Sequence, residues 1–118
     1  MATARPRVLI VDDHPSFRRA AREVLAARGY AVVGEAACTA TARILVEHLD
    51  PDLVVIDVCL GEENGFDLAR ALTFEDPSLP VLMVSANAEL AGPELLSGSG
   101  ARGFVPKLEL ATADLLWF

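Results

Sequence analysis

The sequence predicts an α/β fold in which five parallel strands and the helices between them form a doubly wound (βα)5 sheet. Apolar runs that do not alternate with polar residues, such as residues 53–56, are typical of strands covered on both faces. Stretches with helical periodicity separate these runs. Strict alternation of strand and helix requires right-handed crossovers and places helices on both faces of a parallel sheet. We therefore expect the strand order 2-1-3-4-5.

Breaks in these patterns mark the ends of the elements. Asp13 or Ser16 can cap the first helix, and Gly29 can end it. Asn64, with the glycine after it, begins the third helix. In the fourth helix, either interior glycines cost about 1 kcal/mol each or Pro93 marks a later start. The predicted strands are 7–11, 30–35, 53–56, 79–86 and 103–105. The first helix is predicted to end near residue 28, and the other helices are predicted over 39–49, 66–74, 87–100 and 108–118.

Three further features of the fold are also predicted. Pro106 beside the fifth strand places that strand at an edge of the sheet, because proline cannot donate a ladder hydrogen bond. The last helix is expected to be short, with hardly three turns. The first helix is expected to turn one apolar face towards the sheet, formed by Phe17, Ala20, Ala21, Val24 and Leu25.

Size and composition limit the class of protein. A chain of 118 residues supports one core, so we expect a single domain over 1–118. The net charge of -7 argues against a general nucleic-acid surface, and no apolar run approaches the length of a membrane helix. Without the apolar region of a secretory signal, we expect a cytoplasmic protein with no membrane partner. Cys38 and Cys59 lack metal-type spacing and are expected to be reduced thiols.

Polar side chains stand where the predicted strands end. Asp12 and Asp13 follow the first strand, Asp57 ends the third, Ser85 ends the fourth and Lys107 follows the fifth. In an open α/β sheet, ligands bind at the carboxyl ends of the strands, and the first and third strands are neighbours at the switch point. Three carboxylates are therefore expected in one crevice. We expect Asp57 to be the reactive centre.

The charges of this crevice imply a cation. Two carboxylates about 5 Å apart repel each other by roughly 3 kcal/mol at an effective dielectric constant of about 20. Hard carboxylate oxygens favour Mg²⁺ over zinc, and Mg²⁺ held by one or two carboxylates commonly binds phosphate oxygens as well. Lys107 is the single lysine of the chain, and its compact ammonium group suits a small polar crevice. The implied partner is a phosphoryl group.

This pattern of strand ends resembles the receiver domain of bacterial two-component response regulators. The resemblance covers essentially the whole chain, and residues 100–107 are most similar to the NarL/FixJ class. It implies a flavodoxin-like receiver fold. The residues that carry it are Val11-Asp12-Asp13, Asp57, Ser85-Ala86 and Phe104-Val-Pro-Lys107.

The resemblance implies that Asp57 accepts a phosphoryl group from a sensor histidine kinase and becomes an aspartyl phosphate. It implies a Mg²⁺ cofactor held by Asp13, Asp57 and the backbone carbonyl of Cys59. Asp12 would act on this ion through water. Lys107 would neutralise charge on the transferring group. The chain would not be an enzyme with an external substrate, but it would catalyse its own phosphorylation and dephosphorylation.

The resemblance also implies how phosphorylation changes the surface of the domain. Ser85 would bond a phosphoryl oxygen, and Phe104 would turn into the space that Ser85 vacates. The resulting population shift would affect the face formed by the fourth helix, fifth strand and fifth helix. A homodimer could use that face or the first and fifth helices. Regulators of the NarL class continue into a DNA-binding domain that controls transcription and is absent here, so this segment is not expected to bind nucleic acid directly.

Other interpretations of the sequence remain open at this point. The fold could serve as a stand-alone or phosphorylation-independent interaction module. A phosphatase of the haloacid-dehalogenase type needs an acid two residues after its nucleophile, where this chain has Cys59. A flavodoxin-like nucleotide binder would need glycines in the turn 12–15. His14 beside the acid pair could act as a phosphoacceptor or a metal ligand, but it is interpreted as a loop histidine before Pro15, and Arg18 is interpreted as part of a solvated arginine face.

Overall fold

The computed structural model describes residues 5–87, 92–113 and 115. Helices cover both faces of a five-stranded parallel sheet. The main strands are β1 (Arg7–Val11), β2 (Ala31–Ala36), β3 (Leu53–Asp57), β4 (Val81–Ser85) and β5 (Gly103–Pro106), and the helices are α1 (Pro15–Ala27), α2 (Thr39–Leu49), α3 (Gly65–Glu75) and α4 (Pro93–Gly98).

The strand order is β2-β1-β3-β4-β5, which confirms the predicted topology. Every neighbouring pair in this sheet is parallel. Val11 of β1 pairs with Ile56 of β3, so Asp12 and Asp57 come one residue later on adjacent strands. Pro106 lies on β5, an edge strand, as its missing N–H predicts. The register therefore brings the polar strand ends to one side of the sheet.

The central strand β3 is buried along its whole length, as its uninterrupted apolar run predicts. Its alternate side chains enter two cores on opposite faces of the sheet. Val54 and Ile56 pack in the core that includes Phe66 of α3. Leu53 and Val55 pack in the core that α1 completes. Burial on both faces fixes β3 in place, and with it the position of Asp57.

The apolar face of α1 is narrower than predicted. Ala21 and Leu25 are buried against the sheet, and Phe17 and Val24 are partly buried. Ala20 is exposed, so its predicted inward position is wrong. It borders a hollow that opens towards the segment after β5, beside Leu108. The described residues of that segment form only a 3₁₀ helix and turns, and Ala20 is left at the edge of the buried face.

The start of α1 differs from the prediction that Asp13 or Ser16 caps it. His14 is the N-cap residue, and its side chain makes no capping hydrogen bond. Pro15 occupies the first turn, where a residue without an N–H leaves one donor fewer to satisfy. The Asp13 carboxylate instead faces the acidic residues at the strand ends. The Asp13 side chain thus belongs to the acidic cluster and does not cap α1.

A tight connection links β3 to α3. Two-residue antiparallel strands, Cys59–Leu60 and Glu63–Asn64, form a small hairpin in the loop after β3. Asn64 then caps α3, because its side-chain oxygen accepts a hydrogen bond from the Phe66 N–H at 2.8 Å. The predicted start of this helix is confirmed. The hairpin returns the chain so closely that Gly65 lies directly against the backbone of Asp57.

The fourth helix begins at Pro93, which confirms the later of the two predicted starts. Residues 88–91 of the longer helix predicted over 87–100 lie outside the described residues. The carboxyl end of α4 lies against α3: the Thr73 hydroxyl, which is 2.8 Å from the Ala69 carbonyl of its own helix, is also 3.1 Å from the Ser99 carbonyl. Ser99 is fully buried, and its hydroxyl donates to the Leu96 carbonyl at 2.6 Å. This end of the helix is firmly held.

The last helix predicted over 108–118 is wrong for the residues described. A 3₁₀ helix spans Lys107–Glu109 and is followed by turns up to residue 113, while 114 and 116–118 lie outside the described part. The Arg28 guanidinium donates hydrogen bonds to the carbonyls of Leu110 at 2.7 Å and Ala113 at 2.6 Å. These bonds draw the two carbonyls towards α1 rather than along a helix axis. Leu110 and Leu115 are still buried in the core on that face.

Within the part of the chain that the structure covers, no helix has the length and apolar character needed to cross a membrane.

We expect Gly65→Ala to lower the free energy of unfolding by about 2 kcal/mol or more, because overpacking forces the backbone to move. A Cβ at Gly65 would overlap the Asp57 carbonyl oxygen and lie 2.8 Å from its carbonyl carbon. Urea denaturation measures the change. Gly98→Ala is the matched control, since a Cβ there meets nothing within 4 Å. Equal stability of the two variants would contradict the close approach.

Candidate functional site

The ends of β1 and β3 bring together a cluster of acidic side chains. Asp12 is fully buried and Asp57 is 3% exposed, whereas Asp13 and His14 are more open to solvent. One donor atom from each of Asp12, Asp13, His14 and Asp57 lies within 4.8 Å of the others. The structure therefore brings together the three carboxylates that the sequence placed in one crevice. It also adds a histidine.

Lys107 is the residue after β5, and its side chain reaches this cluster. Its Nζ donates a hydrogen bond to Asp57 Oδ2 at 3.0 Å. It also lies 2.7 Å from Asp12 Oδ2, in an ion pair whose angle does not make a hydrogen bond. The ammonium group is 4.4 Å from the centre of the Phe17 ring, which covers it and favours its charge. Lys107 thus bridges the ends of β1 and β3.

The environment shifts the protonation of both partners. Burial raises the pKa of Asp57, the hydrogen bond from Lys107 opposes this rise, and the negative charge of Asp12 adds to it, so the net pKa lies above its ordinary value. Burial also lowers the pKa of Lys107, but its contacts with Asp12 and Asp57 outweigh that effect and raise the net pKa. Lys107 therefore stays charged, while the Asp57 carboxylate is more basic than an aspartate in water.

Two buried oxygens in the cluster accept no hydrogen bond, although one of them, Asp12 Oδ2, is paired with the Lys107 ammonium group. Asp12 Oδ2 and Asp13 Oδ1 are buried and accept no hydrogen bond from any residue in the described ranges. Buried carboxylate oxygens without donors are costly, so they invite a cation. Hard oxygen donors at this density fit a small divalent ion such as Mg²⁺. The residues present thus suit the ion predicted from the sequence.

Cys59 contributes its backbone to the site. Its N–H donates a hydrogen bond to Asp57 Oδ1 at 3.3 Å, and its side chain is exposed. The two Asp57 oxygens are therefore held by different donors, Oδ1 by the hairpin and Oδ2 by Lys107. The role predicted for the Cys59 carbonyl in metal binding stays a prediction.

The two predicted switch residues lie at the neighbouring strands. Ser85 ends β4 and is 3% exposed, and its hydroxyl oxygen accepts a hydrogen bond from the Asn87 N–H at 3.0 Å. The hydroxyl is thus engaged in its own loop in this state. Phe104 on β5 pairs with Met83 and is packed, partly buried, against the core on the α3 side. Their predicted roles in switching remain predictions.

Sequence reasoning missed several residues that shape the site. Arg18 is 18% exposed and not solvated as expected: it donates a hydrogen bond to the Asp12 carbonyl at 2.7 Å and pairs with Glu35 at 3.1 Å. His14 was interpreted as a loop residue, yet its ring contacts two of the acids. A signal was present in the spacing, because Arg18 follows His14 by one helical turn and so points back to the end of β1.

Comparisons with known proteins identify similar chains. The model of the response regulator receiver domain family matches residues 8–116. The DNA-binding response regulator MtrA of Mycolicibacterium smegmatis is 38% identical over 109 residues, which are 91% of this chain and 46% of MtrA. The chemotaxis protein CheY of Thermotoga maritima is 33% identical over 101 residues, which are 86% of this chain and 84% of CheY.

A solved structure is similar over most of the chain. The two-component response regulator of the LuxR family from Aurantimonas sp. SI85-9A1 has a TM-score of 0.80 and 32% sequence identity, covering 88% of this chain and 75% of that one. This chain spans about half the length of the MtrA relative. The similarity therefore concerns one part of that protein.

We expect Asp57→Asn to raise the free energy of unfolding at neutral pH in the presence of a chelator. The folded pKa of Asp57 is raised, so its protonated form favours folding; this contribution is present below the unfolded pKa and is lost as the pH rises through the folded pKa. The advantage of the neutral asparagine should shrink as the pH falls towards the ordinary range of a carboxyl group. Urea denaturation at several pH values measures it.

The exposed acid Asp67 provides the control, because Asp67→Asn should show no such pH-dependent gain. An Asp57→Asn protein that is less stable than the native chain at neutral pH would mean that the contact with Lys107 outweighs the cost of burial.

Proposed function

The chain belongs to the response regulator receiver domain family, and on this premise we propose that it is a phosphorylation-activated switch of a two-component signalling system. Asp57 is the proposed acceptor of a phosphoryl group from a sensor histidine kinase. The observation that carries the proposal is the buried Asp57 carboxylate, which the single lysine of the chain contacts beside two further acids. A structural aspartate would not need this arrangement.

The proposed reaction is a displacement at phosphorus. A lone pair of an Asp57 carboxylate oxygen forms the new P–O bond while the P–N bond of the kinase phosphohistidine breaks, and the leaving imidazole keeps the electron pair and takes up a proton. The raised pKa of Asp57 makes its carboxylate a better nucleophile. Lys107 is already within hydrogen-bond distance of Asp57, so its charge can stabilise the transferring oxygens.

Asp13 and Asp57 are proposed to hold Mg²⁺ directly, with the Cys59 carbonyl as a further ligand and Asp12 acting through water. The ion, when bound, would supply positive charge to the phosphoryl oxygens. The unsatisfied buried oxygen of Asp13 supports this assignment. The protein contributes a fixed set of oxygen donors and a second cation in Lys107.

The proposed switch runs from the site to the surface that α4 and β5 share with the segment after β5. Ser85 would exchange its bond with Asn87 for one with a phosphoryl oxygen, and Phe104 would move into the space vacated. A hollow of about 330 Å³ beside the site is lined by both Cys59 and Leu95 of α4. A change at the phosphorylation site would therefore alter a space that α4 borders.

The partners follow from the relatives and from the exposed face. Leu95 is 49% exposed and Leu108 is 98% exposed, which supports this face, or α1 with the segment after β5, as a homodimer surface. The relative MtrA is a DNA-binding response regulator, so we propose that the output is transcription through a separate DNA-binding domain. The proposed location is the cytoplasm, where the sensor kinase presents its phosphohistidine.

Incubation with acetyl phosphate tests the acceptor residue directly. We expect intact-mass measurement to show a gain of one phosphoryl group on the native chain with Mg²⁺, little gain with a chelator, and no gain on Asp57→Asn. Asp67→Asn, which alters an exposed acid on α3, should behave like the native chain. No gain on the native chain would contradict the proposal and favour a phosphorylation-independent interaction module.

Mg²⁺ binding is tested separately by thermal unfolding. At about 100 times its dissociation constant, the ion should stabilise the native chain by about 2.7 kcal/mol and raise its Tm accordingly. Asp13→Asn should lose most of this shift because it removes an unsatisfied buried carboxylate, whereas Asp67→Asn should keep it. An equal shift in native and Asp13→Asn chains would contradict the assigned ligand.

A further inference from the structure

The backbone of His14 is fixed next to the acidic cluster. Its N–H donates a hydrogen bond to Asp12 Oδ1 at 2.8 Å, and Pro15 follows as the first residue of α1. The side chain is 63% exposed, but its ring nitrogen Nδ1 lies 3.1 Å from Asp12 Oδ1 and 3.2 Å from Asp13 Oδ1. The imidazole therefore covers the solvent side of the cluster with a nitrogen directed inwards.

These separations suit donors that share one ion. Metal–ligand distances of about 2.1 Å with right angles between ligands place neighbouring donor atoms about 3 Å apart. The two distances from His14 Nδ1 have that length. One donor atom from each of the four residues of the cluster lies within 4.8 Å of the others. An ion placed between His14 Nδ1 and Asp13 Oδ1 could contact both atoms.

The alternative is that His14 only contacts the acids and binds no ion, but this explains the cluster less completely. One ring N–H can align with a single acceptor, and here the aligned acceptor is Asp12 Oδ1. Asp13 Oδ1 is buried at 3.2 Å from Nδ1 and still accepts no hydrogen bond. Oδ2 of the fully buried Asp12 also accepts none among the residues described. Asp13 Oδ1 therefore keeps its lone pairs for a cation, whereas Asp12 Oδ2 already faces the Lys107 ammonium group at 2.7 Å.

We propose that His14 is a nitrogen ligand of this site and that the site therefore prefers borderline transition-metal ions, such as Co²⁺ and Ni²⁺, over Mg²⁺. Imidazole nitrogen binds transition-metal ions well, whereas an all-oxygen donor set suits Mg²⁺. The inference rests on the proposed function, because it concerns the same cation site. Its test measures metal binding and does not require transfer of a phosphoryl group.

Calorimetric titration with Co²⁺ and with Mg²⁺ tests the preference on the native chain, His14→Asn and His48→Asn. His48, the second histidine of the chain, lies in the last turn of α2 and serves as the matched control. We expect the native chain and His48→Asn to bind Co²⁺ more tightly than Mg²⁺. The ratio of the two affinities should fall by at least about 10-fold in His14→Asn. An unchanged ratio would overturn the proposal.

Pulsed electron paramagnetic resonance of the Mn²⁺-loaded protein provides a second measurement. A coupling to imidazole ¹⁴N should appear in the native chain and in His48→Asn and be absent in His14→Asn. Its absence from the native chain, or its persistence in His14→Asn, would overturn the proposal.

Phosphorylation of the same native sample by acetyl phosphate separates the two hypotheses. If the native chain is phosphorylated but the ratio of the Co²⁺ and Mg²⁺ affinities is unchanged in His14→Asn, the ligand role alone is refuted. A ratio that falls as expected in a chain that takes up no phosphoryl group would support the ligand role and refute the proposed function alone.

Discussion

The contact of Lys107 with Asp12 and Asp57 is the constraint on which the rest of the site depends. The two carboxylates are buried because they end central strands, and buried like charges need a cation close by. The cation comes from the residue after the edge strand β5. The ends of β1, β3 and β5 must therefore be level with one another, so the register of the sheet is coupled to the charge balance of the site.

The negative charges of the site are not fully balanced by Lys107, and this imbalance is useful for its chemistry. One ammonium group faces three carboxylates, and Asp13 Oδ1 is left without a hydrogen bond. The pKa of Asp57 remains above its ordinary value even with Lys107 in contact. The fold thus carries an electrostatic cost at one place, which a divalent ion would relieve. Such a cost is characteristic of sites that bind and react, and the two large apolar cores supply the stability that offsets it.

The sequence allowed the sheet order and the acid–lysine cluster to be predicted because both depend on local patterns: uninterrupted apolar runs, and polar residues where those runs stop. The errors have a different origin. Over 107–113 a 3₁₀ helix and turns replace the predicted last helix, and Arg28, more than 80 residues away in sequence, bonds to the carbonyls of Leu110 and Ala113. Asp13 does not cap α1 because the site engages its carboxylate. In both cases the observed structure involves contacts between segments that are distant in sequence, and hydrophobic periodicity does not predict such contacts.

The attachment of α4 to α3 determines how that helix can move. None of the six residues of α4 is buried, whereas Ser99 behind it is buried and bonded to Thr73. Because this end is held, a movement of the helix would be a tilt about Ser99. Six residues of helix are about 9 Å long, so a tilt of about 10° displaces the far end by about 1.5 Å. A partner on this surface would detect a change in the direction of Leu95 rather than a translation of the whole helix.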